Sequence, residues 1–331
     1  MTPVTRNAPT GAATTASPTP TPARVGAFGD LHPAGLLGAF TAALAWGASS
    51  VIAKVLDMDS LAIVVYRFGL ASITFLIFMA SRGVRLDVKK MRLAAPAGIA
   101  LAVDVALFFS AVKETTVANA TVIGALQPVL MLVVARRFLG ERISRAQVFW
   151  SLVAVGGVVF LIFGSSGLPG WSMEGDLLAV GALLAWTTYM FLVKTSQTDE
   201  LSTTEFTSAV AIYTAVLVAP LALVFGQDLS WPSTNSWLLI ALMTFGSGLL
   251  AHPLMNWSLA RIPVSIGSAM TLVVPISASL LAWAFVNERI TAVQMIGISI
   301  TLVSLGALTR EQASRSRDAA TARAAEQLQP E

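Results

Sequence analysis

Apolar runs of about 20 residues, separated by short polar segments, recur along most of this sequence. Hydrophobic residues make up 55% of the 331 residues and charged residues only 12%. An ordinary soluble domain carries roughly 25% charged residues, and a single globular core cannot bury so much apolar surface. Because a spanning helix needs about 20 mainly apolar residues, lipid is the expected solvent for most of the chain.

The two ends of the chain differ from this apolar middle. Residues 1–33 are rich in Thr, Pro and Ala and are interpreted as a disordered cytoplasmic tail. They lack the pattern of a signal peptide, and residues 311–331 are interpreted as a second cytoplasmic tail. Ten helices are predicted between the tails, at 34–55, 61–80, 93–113, 116–138, 145–164, 175–194, 203–225, 235–260, 263–285 and 291–309.

The positions of Lys and Arg predict the orientation of these helices, because cytoplasmic loops carry the positive excess. With both termini in the cytoplasm, the basic loops 82–92 and 136–145 lie on the cytoplasmic side of the inner membrane. The opposite side keeps few basic residues and carries the acidic Asp57 and Asp59. Since the basic residues form no continuous patch, no nucleic-acid partner is expected.

The two halves of the chain match each other at a nearly constant spacing. Trp46 and Lys54 correspond to Trp186 and Lys194, 140 residues later. Further pairs lie 147 residues apart, namely Val117 with Val264, Pro128 with Pro275, Phe138 with Phe285, Gln147 with Gln294, and Glu141-Arg142-Ile143 with Glu288-Arg289-Ile290. Five helices per repeat is an odd number, so the second repeat (165–310) is predicted to be inverted relative to the first (34–164).

Several short motifs resemble the EamA-type ten-helix transporters of the drug/metabolite transporter superfamily. They are Ala45-Trp46-Gly47-Ala48-Ser49, Tyr66-Arg67-Phe68, the proline of the fourth and ninth helices, Gly140-Glu141-Arg142-Ile143 and its second copy Asn287-Glu288-Arg289-Ile290. The second half departs from the pattern at Asn287 and at Thr207, which stands where Arg67 would have a counterpart. The resemblance implies two inverted five-helix repeats around a central cavity, and export or uptake of amino acids, metabolites or drugs.

Ionisable residues within a membrane span are costly, so each is a functional candidate. Asp104 lies near the middle of the third predicted helix, on the same face as Phe108 and Ala111, and is expected to face protein or a cavity. His252 occupies nearly the equivalent place in the eighth helix, with Asn256 one turn later. We interpret Asp104 as the principal coupling or substrate-recognition group and His252 as its partner, with proton coupling as one mechanism. Purely structural roles in packing and hydrogen bonding are the alternatives.

Two other helices carry polar candidates. Arg67 lies early in the second predicted helix, where it could bind an anionic group, pair with Asp104 or extend to the outer interface. In the fourth helix, Asn119 and Gln127 share one face. All three residues are candidates for contact with the substrate.

Proline breaks are predicted in the fourth and ninth helices. Pro128 leaves the carbonyl of Gly124 without its helical donor, which membranes tolerate only against protein or water. Pro275 is its counterpart in the second repeat. Both breaks are predicted to flank the substrate path, with a packing kink as the alternative.

Three aromatic residues are candidates for the walls of the substrate site. They are Trp46, Trp186 and Tyr189, with packing as the alternative to substrate contact, and Trp46 lies too deep in its helix to belong to an interfacial belt. Glu141 and Glu288 precede helices and are interpreted as structural caps.

The function predicted from these residues is a secondary transporter of a small metabolite, amino acid or drug-like compound, working as an exporter by alternating access. Its site is expected near the midplane between the repeats, lined by the first, third, fourth, sixth, eighth and ninth helices. The chain has no cysteine and no metalloprotease, nucleophile-elbow or phosphate-loop motif, so no metal, cofactor or ATP-driven step is expected. The expected partners are the substrate and the lipid bilayer, with a homodimer as one option. The alternatives are an intramembrane enzyme with a site at Asp104 and His252, and a scaffold without transport.

Overall fold

A computed structural model describes residues 32–114, 123–163, 173–196, 201–286 and 290–327. All regular elements within these ranges are helices, and they are α1 (Pro33–Val55), α2 (Ser60–Ser81), α3 (Val88–Glu114), α4 (Gln127–Phe138), α5 (Arg145–Phe163), α6 (Met173–Ser196), α7 (Thr203–Val224), α8 (Thr234–Leu259), α9 (Val264–Met270), α10 (Val273–Val286) and α11 (Ala292–Gln327). The prediction of an all-α chain is confirmed for this part of the sequence.

Eight helical segments of the described chain are long and apolar enough to cross a membrane. They are α1, α2, α3, α6, α7, α8, the pair formed by α9 and α10, and the first part of α11. Large apolar side chains such as Ile77, Val133 and Leu238 remain exposed on the outside of the bundle, as lipid-facing positions require. The chain is therefore a multi-pass membrane protein.

Two helices are interrupted near prolines. α4 begins at Gln127 after a turn at 125–126, and a turn at Thr271 and Leu272 separates α9 from α10. In both places the turn comes two to four residues before the proline, where the missing backbone donor would otherwise leave a carbonyl unpaired. The Gln127 Oε1 atom accepts a hydrogen bond of 2.6 Å from Ser268 Oγ, so the two interruptions lie side by side.

α8 changes its winding in the middle of the bundle. Residues Thr244–Ala251 form a π-helix, and ordinary α-helix resumes at His252, directly before Pro253. A π-turn widens the helix and frequently occurs at functional positions. His252 therefore lies directly after an irregular segment of α8, and the apolar pattern of the sequence does not reveal this irregularity.

Helices from both halves of the chain pack against each other. α3 lies against α6 and α7, α2 against α7, α5 against α11, and α1 against α10 and α8. At Gly47 a Cβ atom would collide with Ser277 Oγ and would lie 2.7 Å from the carbonyl oxygen of Val274, so α1 and α10 cross here at backbone distance. A small residue permits this approach, as is usual where membrane helices pack closely.

The loops contact one another at two opposite ends of the bundle. At the first, here called the Asp59 end, the Asp59 carboxylate accepts from the backbone N–H of Asp228, and Tyr66 Oη donates to the carbonyl of Leu229 at 2.6 Å. Ser230 donates to the Asp228 carboxylate from its backbone N–H and its hydroxyl, and these bonds lower the pKa of Asp228 below its ordinary value.

The opposite end, here called the Glu141 end, holds most of the charged loop contacts. Lys90 Nζ pairs with Glu205 Oε1 at 2.5 Å, and Glu205 also completes a capping box with Ser202 at the start of α7. α11 continues here as one helix to Gln327, well beyond the predicted end of the last span at residue 309. Ser144 Oγ donates to Glu311 Oε1 at 3.1 Å, which joins this extension to the start of α5.

Candidate functional site

A narrow cavity lies inside the bundle, between helices of both halves of the chain. α2, α3, α6, α7 and α8 line it with Arg67, Phe68, Ala71, Phe75, Leu101, Tyr189, Thr207, Val210, Ala211, Gly248 and His252. The lining combines one guanidinium, one imidazole, two hydroxyl groups and several aromatic or aliphatic side chains. Such a mixture of apolar walls and a few polar groups is typical of a small-molecule site.

The lining differs from the sequence-based expectation, which named the first, third, fourth, sixth, eighth and ninth helices. α2 and α7 supply seven of the eleven lining residues, whereas α4, α9 and α10 supply none among the described residues. The reason is that α2 and α7 pack against each other. Arg67 is the residue of these two helices that the sequence indicates as a site candidate.

Arg67 is the charged group of the cavity. Its Nε atom is buried and has no hydrogen-bond acceptor, and its guanidinium lies 5.2 Å from the centre of the neighbouring Phe68 ring. Within the described part of the chain it forms no ion pair with Asp104. Arg67 is thus not paired with Asp104 in this structure, and its position in the cavity favours binding of an anionic group, which stays a prediction.

His252 lies beside Arg67 and is surrounded by aromatic rings. Its ring centre is 5.1 Å from that of Trp46 and 6.1 Å from that of Phe68, and its Nδ1 atom is buried without a hydrogen-bond partner. Trp46 packs edge-on against Trp186 at 5.5 Å, and Trp186 stacks on Tyr189 at 5.3 Å. The structure thus assembles Trp46, Trp186, Tyr189 and His252 into one aromatic cluster next to the cavity.

A hydrogen-bonded chain fixes the polar side of this cluster. Tyr189 Oη donates to Asn256 Oδ1 at 3.1 Å, and Asn256 Nδ2 donates to Thr207 Oγ1 at 3.0 Å. Thr207 Oγ1 in turn donates to the backbone carbonyl of Thr203 at 2.8 Å. Asn256 is fully enclosed and serves to hold Tyr189 and Thr207 at the cavity wall.

Asp104 lies at the edge of the same region. It is partly buried on α3, one turn after the cavity residue Leu101, and within electrostatic range of Tyr189. It makes no hydrogen bond or ion pair with another described residue. Asp104 therefore has no hydrogen bond or ion pair with His252, which lines the central cavity, and the partnership of the two residues stays a prediction.

Gln127 lies deeper in the packing, away from the cavity lining. It is buried between α4 and α9, where its Oε1 atom accepts from Ser268 and its Nε2 atom has no acceptor. Pro128 follows it in the first turn of α4, and Pro275 lies near the start of α10. Asn119, the other polar candidate of the fourth helix, falls outside the described residues, so its role remains a prediction.

Two charged side chains hold the loop between α8 and α9 at the Glu141 end. Lys194 Nζ donates to the carbonyl oxygens of Leu259 and Ile262 at 2.5 and 2.8 Å. Glu141 accepts from the backbone N–H of Val264 at 2.7 Å and from Ser265 Oγ at 2.6 Å. Glu141 is a structural cap as predicted, but it caps α9 of the other repeat and not α5, which begins at Arg145.

The described residues include no group of three His, Asp or Glu side chains that could hold a metal ion. Arg67, His252, Tyr189 and the nearby Asp104 are the groups in this region able to recognise a charged or aromatic ligand.

Comparison with known proteins agrees with this geometry. The sequence profile of the EamA-like transporter family matches residues 33–163 and 173–310, which correspond to the two proposed repeats. The chain belongs to the EamA-like transporter family. The resemblance inferred from the short motifs is thereby confirmed, and this EamA-like protein belongs to a family of membrane transporters.

Relatives of this EamA-like transporter are also named as transporters. The uncharacterized transporters YwfM and YyaM of Bacillus subtilis (strain 168) are each 29% identical, over 68% and 74% of this chain and 75% and 82% of their own length. The aromatic amino acid exporter YddG of Ancylobacter novellus is 27% identical over 53% of this chain and 60% of its own length.

A solved structure has the same fold as this EamA-like transporter. Described only as a crystal structure of a protein, it superposes with a TM-score of 0.74 at 20% sequence identity. The match covers 84% of this chain and 98% of the solved chain. At this identity the likeness concerns the fold alone.

Proposed function

We propose that this chain is a secondary carrier that moves a small metabolite, amino acid or drug-like compound across the inner membrane, as an exporter working by alternating access. The observation that carries the proposal is the central cavity, which helices of both halves line with charged, polar and aromatic side chains. A gradient or the substrate's own concentration difference drives the cycle, since the sequence has no phosphate-binding loop.

The proposed architecture is ten spans in two inverted repeats, with α4 and α5 belonging to the two spans beyond the eight long ones. Residues related by a twofold axis touch each other only near that axis. Trp46 and Trp186, which lie 140 residues apart, are in ring contact, and Thr301 Oγ1 bonds to the carbonyl of Ala154, 147 residues earlier. Both contacts join positions that the sequence repeat makes equivalent.

The helix packing supports the same symmetry. The contact of α3 with α6 has its counterpart in that of α8 with α1, and the contact of α1 with α10 has its counterpart in that of α6 with α4. Arg67 and Thr207, and likewise Ala71 and Ala211, are 140 residues apart and line one cavity. We infer that the pseudo-twofold axis passes through the cavity, where alternating-access carriers of inverted repeats bind their substrates.

The contacts between loops support an even number of spans with both termini in the cytoplasm. His32, before α1, packs its ring 6.3 Å from Trp257, near the end of α8, and α11 reaches the same Glu141 end. The basic loops 82–92 and 136–145 belong to this end, so the positive-inside rule places it in the cytoplasm.

Export of an amino acid or similar compound is supported by the aromatic cluster and by the relative named as an aromatic amino acid exporter. Proton coupling through Asp104 and assembly as a homodimer are further parts of the proposal. Asp104 supports the first by its position one turn from the cavity residue Leu101 and by having no cationic partner among the described residues.

Metabolite profiling tests the proposed function. Cells with and without the protein are compared, both inside and in the medium, and the compound that changes is then followed in vesicles containing the purified protein. We expect the compound to cross the membrane chemically unchanged. A chemical change would favour the intramembrane enzyme, and no change in any metabolite would favour the scaffold.

A further inference from the structure

We propose that the extension of α11 beyond the membrane holds the Glu141 end of the carrier closed, and that Arg315 on this extension is a positioning residue for Glu141. The inference rests on the proposed alternating access, since it requires an end of the bundle that opens. Its basis is a series of hydrogen bonds that leads from the extension, through the turn between α4 and α5, to the start of α9.

The loop between α8 and α9 is held from two sides at the Glu141 end. Lys194, near the end of α6, donates to the carbonyl oxygens of Leu259 and Ile262. Glu141 accepts from the backbone N–H of Val264 at 2.7 Å and lies within electrostatic range of Lys194. Val264 is buried, so its N–H reaches water only when the bond to Glu141 breaks. The loop therefore cannot leave the bundle while Glu141 stays in place.

The turn between α4 and α5 brings Glu141 to α9. Gly140 has a φ of 67°, a conformation that favours glycine, and the backbone N–H of Glu141 donates to the carbonyl of Ala135 at 3.1 Å. This backbone closes the end of α4 and directs the Glu141 carboxylate to the other repeat. A displacement of the turn would therefore move the carboxylate away from the N–H of Val264.

Arg315 ties the extension of α11 to this turn. Its Nη1 atom donates to the carbonyl oxygen of Arg142 at 2.9 Å and to Gln147 Oε1 at 3.3 Å. Arg142 directly follows Glu141 in the chain. Glu311, one turn earlier on α11, lies 3.9 Å from Arg315 Nε and favours this direction of the guanidinium. A charge-assisted hydrogen bond thus holds the residue next to Glu141.

Two further bonds join the extension to the start of α5. Gln147 Nε2 donates to Gln312 Oε1 at 2.9 Å, and Ser144 Oγ donates to Glu311 Oε1 at 3.1 Å. Gln147 is buried, and its Oε1 atom also accepts from the backbone N–H of Ser144 at 2.9 Å. The extension therefore bonds to both ends of the short segment 142–147. Because this segment continues the turn, release of the extension is expected to free Glu141 as well.

Amide hydrogen exchange of the purified full-length protein measures this release without any substrate. The N–H of Val264 exchanges only when this end opens locally. Arg315→Ala is expected to speed the exchange of Val264 roughly tenfold, because a hydrogen bond from a charged group is lost. Arg310→Ala is the matched control, since Arg310 is exposed on the same helix and its side chain bonds to no other described residue. Exchange in Arg310→Ala should equal that of the wild type.

A double variant tests whether Arg315 acts through Glu141. Glu141→Ala removes the acceptor itself and is expected to speed the exchange of Val264 at least roughly tenfold. If Arg315 only positions Glu141, Arg315→Ala adds little to the effect of Glu141→Ala. Independent effects would instead multiply, and that result would overturn the positioning role.

Exchange at the Asp59 end separates the opening of one end from a general loss of stability. There the backbone N–H of Asp228 donates to the Asp59 carboxylate at 2.8 Å. Because the two ends of an alternating-access carrier open in turn, Arg315→Ala should leave the exchange of Asp228 unchanged or slow it. A rise at this end together with a lower Tm would show that Arg315 only stabilises the fold, and would overturn the inference.

Two other results would also overturn it, namely unchanged exchange of Val264 in Arg315→Ala and an equal rise in Arg310→Ala. These measurements need no transported compound, so their outcome is independent of the metabolite comparison. If they fail, a compound that crosses the membrane unchanged would still uphold the proposed function.

Discussion

Unpartnered polar atoms single out the residues on which the proposed carrier depends. Buried polar groups in folded proteins nearly always have a hydrogen-bond partner, so an exception needs an explanation. Arg67 Nε and His252 Nδ1 are both buried without an acceptor or donor, and both residues line the same cavity. Their shared location makes a ligand in transit the simplest explanation for both.

Asp104 is predicted to couple substrate movement to a gradient. Asp104→Asn mimics the protonated acid, so we expect at least about a tenfold loss of gradient-driven accumulation, the effect of little more than 1 kcal/mol. A proton-coupled carrier keeps exchange of substrate for substrate, because exchange needs no net proton transfer. A carrier that holds an amine with this carboxylate loses both activities. The measurement is uptake and exchange in vesicles with the purified variant.

The matched control for this experiment is Asp57→Asn, which removes a carboxylate from the loop at the Asp59 end. Its transport should equal that of the wild type. If Asp104→Asn also accumulates substrate normally, Asp104 has only a structural role.

Gln127 joins the two helix interruptions through its bond to Ser268. These interruptions are predicted to flank the substrate path, although Gln127 itself lies outside the cavity lining. Gln127→Leu removes the acceptor for Ser268 Oγ, and we expect a loss of about 1–2 kcal/mol of unfolding free energy together with slower transport. Ser268→Ala removes the other partner. The double variant should cost less than the sum of the single ones, because both changes remove one bond.

Denaturant unfolding and vesicle transport measure the two effects for all three variants. Normal substrate affinity and turnover in Gln127→Leu would contradict a position beside the path and leave Gln127 as a packing residue.

Sequence alone identifies only some of these side chains. Asp104, His252 and Arg67 stand out because charged groups are rare in membrane spans. Phe68, Phe75 and Thr207 do not stand out, because aromatic residues and threonine are ordinary in apolar helices. Their role follows from the packing of α2 against α7, and packing between distant segments leaves no periodic signal in the chain.

At the level of the helices, the apolar runs predict α1, α2, α6 and α7 to within two residues at either end. The thickness of the bilayer sets the length of a spanning helix, so the length of each apolar run in the sequence indicates where a helix begins and ends. The π-helical segment of α8 and the extension of α11 to Gln327 were not predicted. The polar composition after Glu311 indicates water exposure but not conformation, and the bond from Ser144 to Glu311 helps hold the extension to the bundle.

The crossing of α1 and α10 gives a test at this scale. Gly47→Ala would place a Cβ against Ser277 and 2.7 Å from the carbonyl oxygen of Val274, so the helices must separate. We expect a loss of about 1–3 kcal/mol in the free energy of unfolding, as for other overpacked sites. Thermal unfolding in detergent measures the change.

Gly69→Ala is the matched control, because nothing lies within 4 Å of a Cβ added at Gly69 on α2. Alanine there should be neutral or stabilise the helix by up to about 1 kcal/mol. Equal effects of the two substitutions would show that α1 and α10 do not cross this closely.

For the whole molecule, the two ends of the bundle carry different chemistry. The Glu141 end holds the basic loops, the start of α1, the extension of α11 and the ties that Lys194 and Glu141 make to the loop between α8 and α9. The Asp59 end holds acidic loops bonded to each other. In a carrier with a central cavity, these two sets of loop contacts must loosen in turn, so Lys194 and Glu141 are predicted to close the cytoplasmic side.

The topology follows from this polarity and is the last prediction. Arg85 belongs to the Glu141 end and Ser233 to the Asp59 end, so single cysteines at the two positions should react with an impermeant reagent from opposite sides of the membrane. The chain has no cysteine of its own, which makes every label specific. Because Ser233 Oγ accepts from the backbone N–H of Ser236 at the start of α8, the exposed neighbour Asn235 serves as a second position that leaves this cap intact.

A cysteine at Asp318, on the α11 extension, should label from the same side as Arg85 because an even number of spans returns the chain to the cytoplasm. Labelling of Arg85 and Asn235 positions from one side would refute the inverted ten-span arrangement, and labelling of Asp318 and Arg85 positions from opposite sides would require an odd number of spans between them.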